Sequence, residues 1–232
     1  TVGVDLGSQT TKVVLGPAFE YEIVRSVMGG HSTPSAVTFR GRQRFIGEQA
    51  SEAKSAGCDT VLHPGRLLPG MMGAGGDDDD DVFRDFYRFE LDGRGAVTVE
   101  YDGSNRKFEP SAVLAMLLGR VRSGVEETVE RLGGSATGEA KAKARTARYA
   151  LTLPPGSSAA AISALGDAAY AAGLGDDVLV LDAGRCAAAA YGRKWSDGGA
   201  SPSEEEEGGG KIVMVVDMGH AQTTVSVLRP GG

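Results

Sequence analysis

Cysteine and histidine are scarce in this sequence. The chain contains only Cys58 and Cys186, and its three histidines are scattered. Two cysteines cannot build a disulfide framework, although they leave a single bridge open, and their spacing does not match a zinc site. The sequence therefore gives no indication of a metal centre built on thiolates and imidazoles.

Long apolar runs and clusters of basic residues are also missing. The most apolar stretches, at 177–181 and 211–216, have the length of a strand and fall short of the roughly 18 residues that span a bilayer. The net charge is −7 and the isoelectric point is near 5.1. Binding to nucleic acid or to an anionic membrane requires clustered Lys and Arg. We therefore expect neither nucleic acid nor membrane among the partners.

What is present is the residue pattern of an α/β protein. A hydrophobic content of 41% in 232 residues is enough for one sizeable domain or two small ones. Alternating patterns predict strands at 1–6, 11–15, 21–26, 36–40, 44–46, 83–91, 97–101, 149–153, 178–181, 212–217 and 223–228. Helical periodicity predicts helices at 48–56, 110–132, 157–172 and 183–191.

Two segments are predicted to be flexible loops. Residues 70–81 are rich in Gly and Met and end in a run of Asp, and residues 196–210 combine a run of Glu with several glycines. Like charges repel and these segments have little apolar surface to bury. We interpret both as surface loops without a packing role.

One short motif occurs twice. Val4-Asp5-Leu6-Gly7-Ser8-Gln9-Thr10-Thr11 and 216–224 each consist of a strand with an Asp near its end, a glycine turn and a second strand. A glycine turn lets backbone N–H groups approach a phosphate closely, and hydroxyl groups add donors. One such turn usually only closes a hairpin, but its repetition in an α/β chain favours a polyphosphate site.

This motif gives two sets of candidate residues. Mg²⁺ binds through one or two carboxylates together with waters and substrate phosphates, so Asp5 and Asp217 are the candidate metal ligands. The candidate nucleotide-binding residues are Gly7, Ser8, Gln9, Thr10, Gly219, His220, Ala221 and Gln222.

The two segments resemble the phosphate-binding hairpins of the 70-kilodalton heat-shock chaperones. Further matches follow in the same order along the chain, at Ser32-Thr33-Pro34-Ser35, at 44–48, at Leu151-Thr152-Leu153-Pro154 and at 187–192. The resemblance implies an actin-like (ribonuclease H-like) ATPase lobe, with a mixed β-sheet flanked by helices. It also implies binding of ATP or ADP with Mg²⁺, of which this lobe alone is expected to hold only part.

The resemblance covers residues 1–232 as the first lobe of that domain. The family's second lobe and peptide-binding domain are then expected to be absent, as in a truncated sequence. The start at Thr1 instead of Met fits a processed leader or a cropped sequence.

The sequence departs from the active family in the second phosphate loop, where Gly219-His220-Ala221-Gln222 stands in place of three glycines and a threonine, and at two catalytic positions. The family has a lysine, which helps to orient the attacking water, where this chain has Gly65, and a glutamate where it has Ala183. Since phosphoryl transfer depends on positioning and electrostatics, their loss raises the barrier by on the order of several kcal/mol. We expect weak or no hydrolysis and assign no catalytic residue, unless Asp182 substitutes for the glutamate.

The resemblance is strongest to the large endoplasmic-reticulum chaperones of the hypoxia up-regulated or glucose-regulated type. It implies a co-chaperone, either a nucleotide-exchange partner of a smaller heat-shock 70-type chaperone or a holdase for unfolded polypeptides, acting through the missing domains. It places the protein in the endoplasmic-reticulum lumen, with the cytoplasm as the alternative. An active chaperone ATPase and a nucleotide-free structural or interaction lobe remain open, whereas no sugar-binding motif supports a sugar kinase.

Overall fold

The computed structural model describes residues 1–53, 59–71, 90–91, 96–133, 147–197 and 212–228. The helices of this part are α1 (Glu48–Ala53), α2 (Pro110–Gly133), α3 (Ala159–Ala171) and α4 (Ala183–Asp197), and Pro17–Phe19 and Pro64–Leu67 form 3₁₀ turns. The strands are β1 (Val2–Leu6), β2 (Thr10–Leu15), β3 (Thr33–Pro34), β4 (Ala36–Arg40), β5 (Gln43–Ile46), β6 (Asp59–Leu62), β7 (Glu90–Leu91), β8 (Val97–Tyr101), β9 (Ser104–Phe108), β10 (Tyr149–Leu153), β11 (Leu179–Asp182), β12 (Val213–Met218) and β13 (Thr223–Leu228).

A five-stranded mixed sheet forms the centre of the described chain. Its order is β11-β10-β1-β2-β3, with β1 parallel to β10 and antiparallel to β2. Side chains alternate between the faces of a strand, so Val2 and Val4 of β1 are buried while Asp5 lies on the opposite face. The predicted class, a mixed β-sheet flanked by helices, is confirmed.

One face of this sheet is covered by α2 and α3. Their apolar residues form one core cluster with β1, β2 and β10, in which Leu117, Leu151 and Leu165 are fully buried. Pro110 begins α2, where a missing N–H costs nothing, and the Ser158 hydroxyl caps α3 by accepting a hydrogen bond from Ala161 N at 3.1 Å. Asp5 lies on the opposite face, which α2 and α3 do not cover.

A second core holds two smaller sheets together. The sheets β5-β4-β6 and β7-β8-β9 bury Val37, Phe39 and Val99, and the rings of Phe39 and Phe108 stack with centroids 5.0 Å apart. The Pro64–Leu67 turn, which lies between β6 and β7 in the chain, contacts α2.

The β12–β13 hairpin forms a sheet of its own in the described chain. It contacts α4, and Gly184 of that helix is buried against Ser226 of β13. Its other face is apolar and exposed, at Met214, Val216, Val225 and Val227. No helix in the described ranges combines the length and apolar character that crossing a bilayer requires.

Several sequence predictions need correction. Residues 21–26 are not a strand, because Glu20 and Tyr21 adopt positive φ angles of 53° and 60° that turn the chain, and only Ile23 makes an isolated bridge to Val14. Strand β9 was not predicted, since its residues are mostly exposed and lack apolar alternation. Helix α4 continues to Asp197, beyond the predicted end at 191 and into the predicted loop 196–210.

Parts of four predicted segments lie outside the described residues. They are 72–81 and 198–210 of the two predicted loops, 83–89 of a predicted strand, and 54–56 at the end of the first helix. The remaining strands and helices of the prediction are confirmed to within a few residues at their ends.

Candidate functional site

The first hairpin is a tight turn between β1 and β2. A methyl group added at Gly7 would lie 2.5 Å from the Thr10 carbonyl oxygen, so only glycine fits. Ser35, which lies between β3 and β4, supports the turn: its hydroxyl donates to the Gly7 carbonyl at 2.8 Å and its amide to the Gln9 carbonyl at 2.9 Å. The turn is therefore held in one conformation by a residue outside it.

The second hairpin is built in a similar way. The Gly219 amide donates to the Gln222 carbonyl at 2.9 Å, and a methyl group at Gly219 would lie 3.1 Å from that oxygen. Asp217 stands opposite Thr224 in the ladder, as Asp5 stands opposite Lys12 in the first hairpin. The two segments that share a sequence motif thus share a backbone arrangement.

Both hairpins line one pocket of about 300 Å³. All ten predicted site residues are brought together there: Asp5, Gly7, Ser8, Gln9, Thr10, Asp217, Gly219, His220, Ala221 and Gln222. Lys12, Thr152, Pro154, Ala183 and Thr224 complete much of the wall. The structure thus places the two turns on one cavity, while their binding roles stay predictions.

Asp5 is positioned by two neighbours. Its carboxylate accepts a hydrogen bond from the Thr152 hydroxyl at 3.2 Å and lies 3.3 Å from Lys12 Nζ. The Thr152 hydroxyl oxygen also accepts from the Leu6 amide at 3.3 Å, which ties β10 to the end of β1. About half of the Asp5 side chain remains exposed, so a hydrated cation can reach it.

The donor set fits magnesium with phosphate. Asp5 and Asp217 offer carboxylate oxygens, and the pocket wall adds the hydroxyls of Ser8, Thr10 and Thr224 and the ammonium of Lys12. Mg²⁺ binds through one or two carboxylates and its own waters, and phosphate oxygens accept hydrogen bonds from hydroxyl and ammonium groups. These residues can therefore hold a phosphate chain with its counterion.

The two catalytic departures from the family pattern fall beside this pocket. Gly65 lies in the Pro64–Leu67 turn, where a methyl group would be 3.8 Å from the Leu6 side chain at the end of β1. Ala183 lines the pocket itself. Neither position supplies an ammonium or a carboxylate.

Asp182 does not occupy the vacated glutamate position. Its carboxylate accepts a hydrogen bond from the Arg185 amide at 2.8 Å, across the start of α4, and it is not part of the pocket wall. Burial raises the pKa of the nearby Cys186 thiol, and the carboxylates of Asp182 and Asp5 raise it further. The thiol is therefore kept protonated and is a poor nucleophile.

The sequence did not predict every residue around the site. Thr152 belongs to one of the segments that resemble the family, and its contact with Asp5 follows from the parallel pairing of β1 with β10. His63 donates a hydrogen bond from Nδ1 to the Ser8 carbonyl, and Arg66 Nη1 donates to Gln222 Oε1 at 3.5 Å. No local pattern marks His63, since its position depends on how 59–67 folds back onto the first hairpin.

A mixed sheet with two Asp-Gly hairpins on one pocket defines this chain as an actin-like ATPase lobe. The family model described as Hsp70 protein matches residues 1–231. The chain belongs to the Hsp70 family.

Similar proteins agree with this assignment. The chain is 28% identical to a heat shock protein of Pyricularia oryzae and 31% identical to a heat shock 70 kDa protein of Oryza sativa, over 100% of the chain in both cases. It is 25% identical over 97% of its length to a heat shock protein homolog of Saccharomyces cerevisiae. The chain spans about a third of the length of these relatives, at 34%, 31% and 30%.

Proposed function

We propose that this chain is the ATP-binding lobe of an Hsp70-family chaperone that hydrolyses ATP weakly or not at all. The observation that carries the proposal is the convergence of both glycine turns and both aspartates on one pocket. Backbone amides, hydroxyls and a magnesium-bound phosphate chain are complementary in charge and geometry.

The roles of the residues follow from their chemistry. The turns at Gly7 and Gly219 hold the phosphates of ATP or ADP, and Asp5 and Asp217 hold the hydrated magnesium ion. When bound, the metal neutralises charge on the phosphates. Lys12 and Thr152 fix the orientation of the Asp5 carboxylate.

Weak hydrolysis follows from what the pocket wall lacks. Ala183 offers no carboxylate to position a water, and Gly65 offers no cation. Losing one positioned polar group costs roughly 3 kcal/mol of barrier, which is about a hundredfold in rate. Bound ATP is therefore hydrolysed slowly or not at all.

The wider role in this proposal is that of a large-type co-chaperone. It acts as a nucleotide-exchange partner of a smaller heat-shock 70-type chaperone, or as a holdase for unfolded polypeptides, through regions outside this chain and in the endoplasmic-reticulum lumen. The support is the resemblance at Val4 to Ser8 and at Lys12, together with the shared departures at Gly65 and Ala183.

Calorimetry and steady-state phosphate release test the proposal. Isothermal titration of the chain with Mg·ATP and Mg·ADP is expected to show binding that Asp5→Ala weakens. Phosphate release at saturating ATP is expected to be no faster in the wild type than in Asp5→Ala. Turnover that Asp5→Ala abolishes would establish the active ATPase instead.

A nucleotide-free interaction lobe is the second candidate. It is favoured by the Lys12 ammonium, which already neutralises Asp5, and by the His220 and Gln222 side chains on the second turn. The absence of heat on titration with millimolar Mg·ATP would decide for this candidate and against nucleotide binding.

A further inference from the structure

Three successive carbonyl groups of the first turn are held from outside the pocket. The Gly7 and Gln9 carbonyls accept hydrogen bonds from the Ser35 hydroxyl and amide at 2.8 Å and 2.9 Å. The Ser8 carbonyl between them accepts from His63 Nδ1. Ser35 and His63 are 3% and 8% exposed, and neither is part of the pocket wall. The three carbonyls therefore point away from the pocket.

This arrangement fixes where the amides of the turn point. In a planar trans peptide the N–H is directed opposite to the C=O of the preceding residue, and the described chain contains no cis peptide bond. With the carbonyls of Gly7, Ser8 and Gln9 turned away, the N–H groups of the following three residues face the pocket side. Converging amides of this kind bind anions.

His63 is held firmly by its own backbone. It adopts a left-handed conformation with φ 52° and ψ 49°, its amide donates to the Ser35 carbonyl at 3.0 Å, and its carbonyl accepts from the Arg66 amide at 2.9 Å. A carbonyl oxygen can only accept, so the bond to Ser8 requires a proton on Nδ1. The ring is thus fixed in position and in tautomer.

The same ring also contacts the second turn. The ring centroids of His63 and His220 are 5.2 Å apart, with an angle of 42° between the planes. Arg66 reaches Gln222 of that turn from the same segment. One short segment therefore touches both phosphate turns.

We propose that His63 is a positioning residue for nucleotide binding: its Nδ1–H holds the Ser8 carbonyl away from the pocket, and its ring sets the spacing between the two turns. The inference rests on the proposed nucleotide binding. His63 touches no ligand itself and acts through the amides of the first turn.

Two variants separate the hydrogen bond from the backbone requirement. Gly and Asn both tolerate a positive φ, but only Asn places an N–H donor near the position of Nδ1. We expect His63→Gly to weaken Mg·ATP binding about tenfold, as loss of one supporting hydrogen bond suggests, and His63→Asn to stay within about threefold of the wild type. His31→Asn, at an exposed loop histidine, is the matched control and should leave the affinity unchanged.

Titration calorimetry with Mg·ATP, with thermal melting on every variant, distinguishes the outcomes. If the wild type binds Mg·ATP and His63→Gly binds it equally tightly, the positioning role is overturned but the proposed function stays intact. If His63→Asn binds Mg·ATP as weakly as His63→Gly although both variants melt at the same temperature, the positioning role is also overturned. If the wild type itself binds no nucleotide, the proposed function fails first, and the positioning role fails with it.

A spectroscopic measurement tests the tautomer without any ligand. Long-range ¹⁵N–¹H correlation spectra of the wild-type chain, above the pH where imidazole titrates, should show neutral His63 protonated at Nδ1. His31, which is exposed, serves as the internal reference. A neutral His63 protonated at Nε2 would remove the hydrogen bond on which the inference depends.

Discussion

Replacing Gly184 by alanine tests how the second hairpin is held in place. Gly184 lies in the first turn of α4 and is buried. A methyl group there would lie 2.3 Å from Ser226 Oγ and 3.0 Å from Ser226 Cβ. The hydroxyl can rotate away, but the Cβ atom cannot, so α4 and β13 must move apart.

The expected magnitude is a difference between two opposing effects. Alanine is favoured over glycine inside a helix by about 1 kcal/mol. Forcing an extra methyl group into a packed contact costs about 1–3 kcal/mol. The net expectation for Gly184→Ala is a loss of about 1 kcal/mol in the free energy of unfolding, together with weaker Mg·ATP binding because the second turn is displaced.

Gly166 in α3 provides the matched control, because a methyl group there meets nothing within 4 Å. Gly166→Ala should therefore gain about 1 kcal/mol and leave nucleotide affinity unchanged. Urea unfolding followed by circular dichroism measures both changes in the free energy of unfolding. Equal stabilisation by the two alanines would refute the packing argument.

Three further predictions concern other parts of the structure. Burial raises the pKa of Tyr149 to about 12, with Glu126 adding to the shift, so wild-type stability should fall between about pH 10 and 12, where the unfolded chain loses the proton first. Tyr149→Phe should flatten that fall and change the free energy of unfolding little at pH 7, because no described residue forms a hydrogen bond with the hydroxyl. The same loss of stability at alkaline pH in urea titrations of the wild type and of Tyr149→Phe would contradict this. Gly173→Ala should lower the free energy of unfolding, measured in urea, by about 3 kcal/mol. The reason is that φ at Gly173 is 75° and that the methyl group would displace Arg122 from its hydrogen bond to the Ala172 carbonyl. A decrease below about 1 kcal/mol would refute this argument. Asp217→Asn should weaken Mg·ATP binding more than magnesium-free ATP binding in calorimetry, and equal losses would argue against a metal role.

Much of this fold was predictable because its signals are local. The alternation of Val2 and Val4 with polar residues defines β1, and the periodicity of α2 follows from its buried leucines. The repeated Asp-Gly motif predicted two hairpins, and both are present. Such patterns depend on neighbours two to four residues away, which a sequence displays directly.

What the sequence could not provide are contacts between distant segments. The 21–26 stretch alternates like a strand, but the left-handed residues Glu20 and Tyr21 before it redirect the chain. The supporting roles of Ser35 and His63 arise only when β4 and β6 lie beside the first turn. Asp182 could have replaced the missing glutamate as far as the sequence goes, and only its bond to the Arg185 amide shows that it caps a helix.

The order of strands in the central sheet has a consequence for biosynthesis. Strand β1 lies between β2, which follows at once, and β10, which is made only after the long α2 helix. A nascent chain on the ribosome thus holds β1 with one edge unpaired until β10 has been translated, and non-local pairings of this kind form slowly. The turn at Gly7 is translated well before its counterpart at Gly219. The pocket can therefore form only after the β12–β13 hairpin has also been translated.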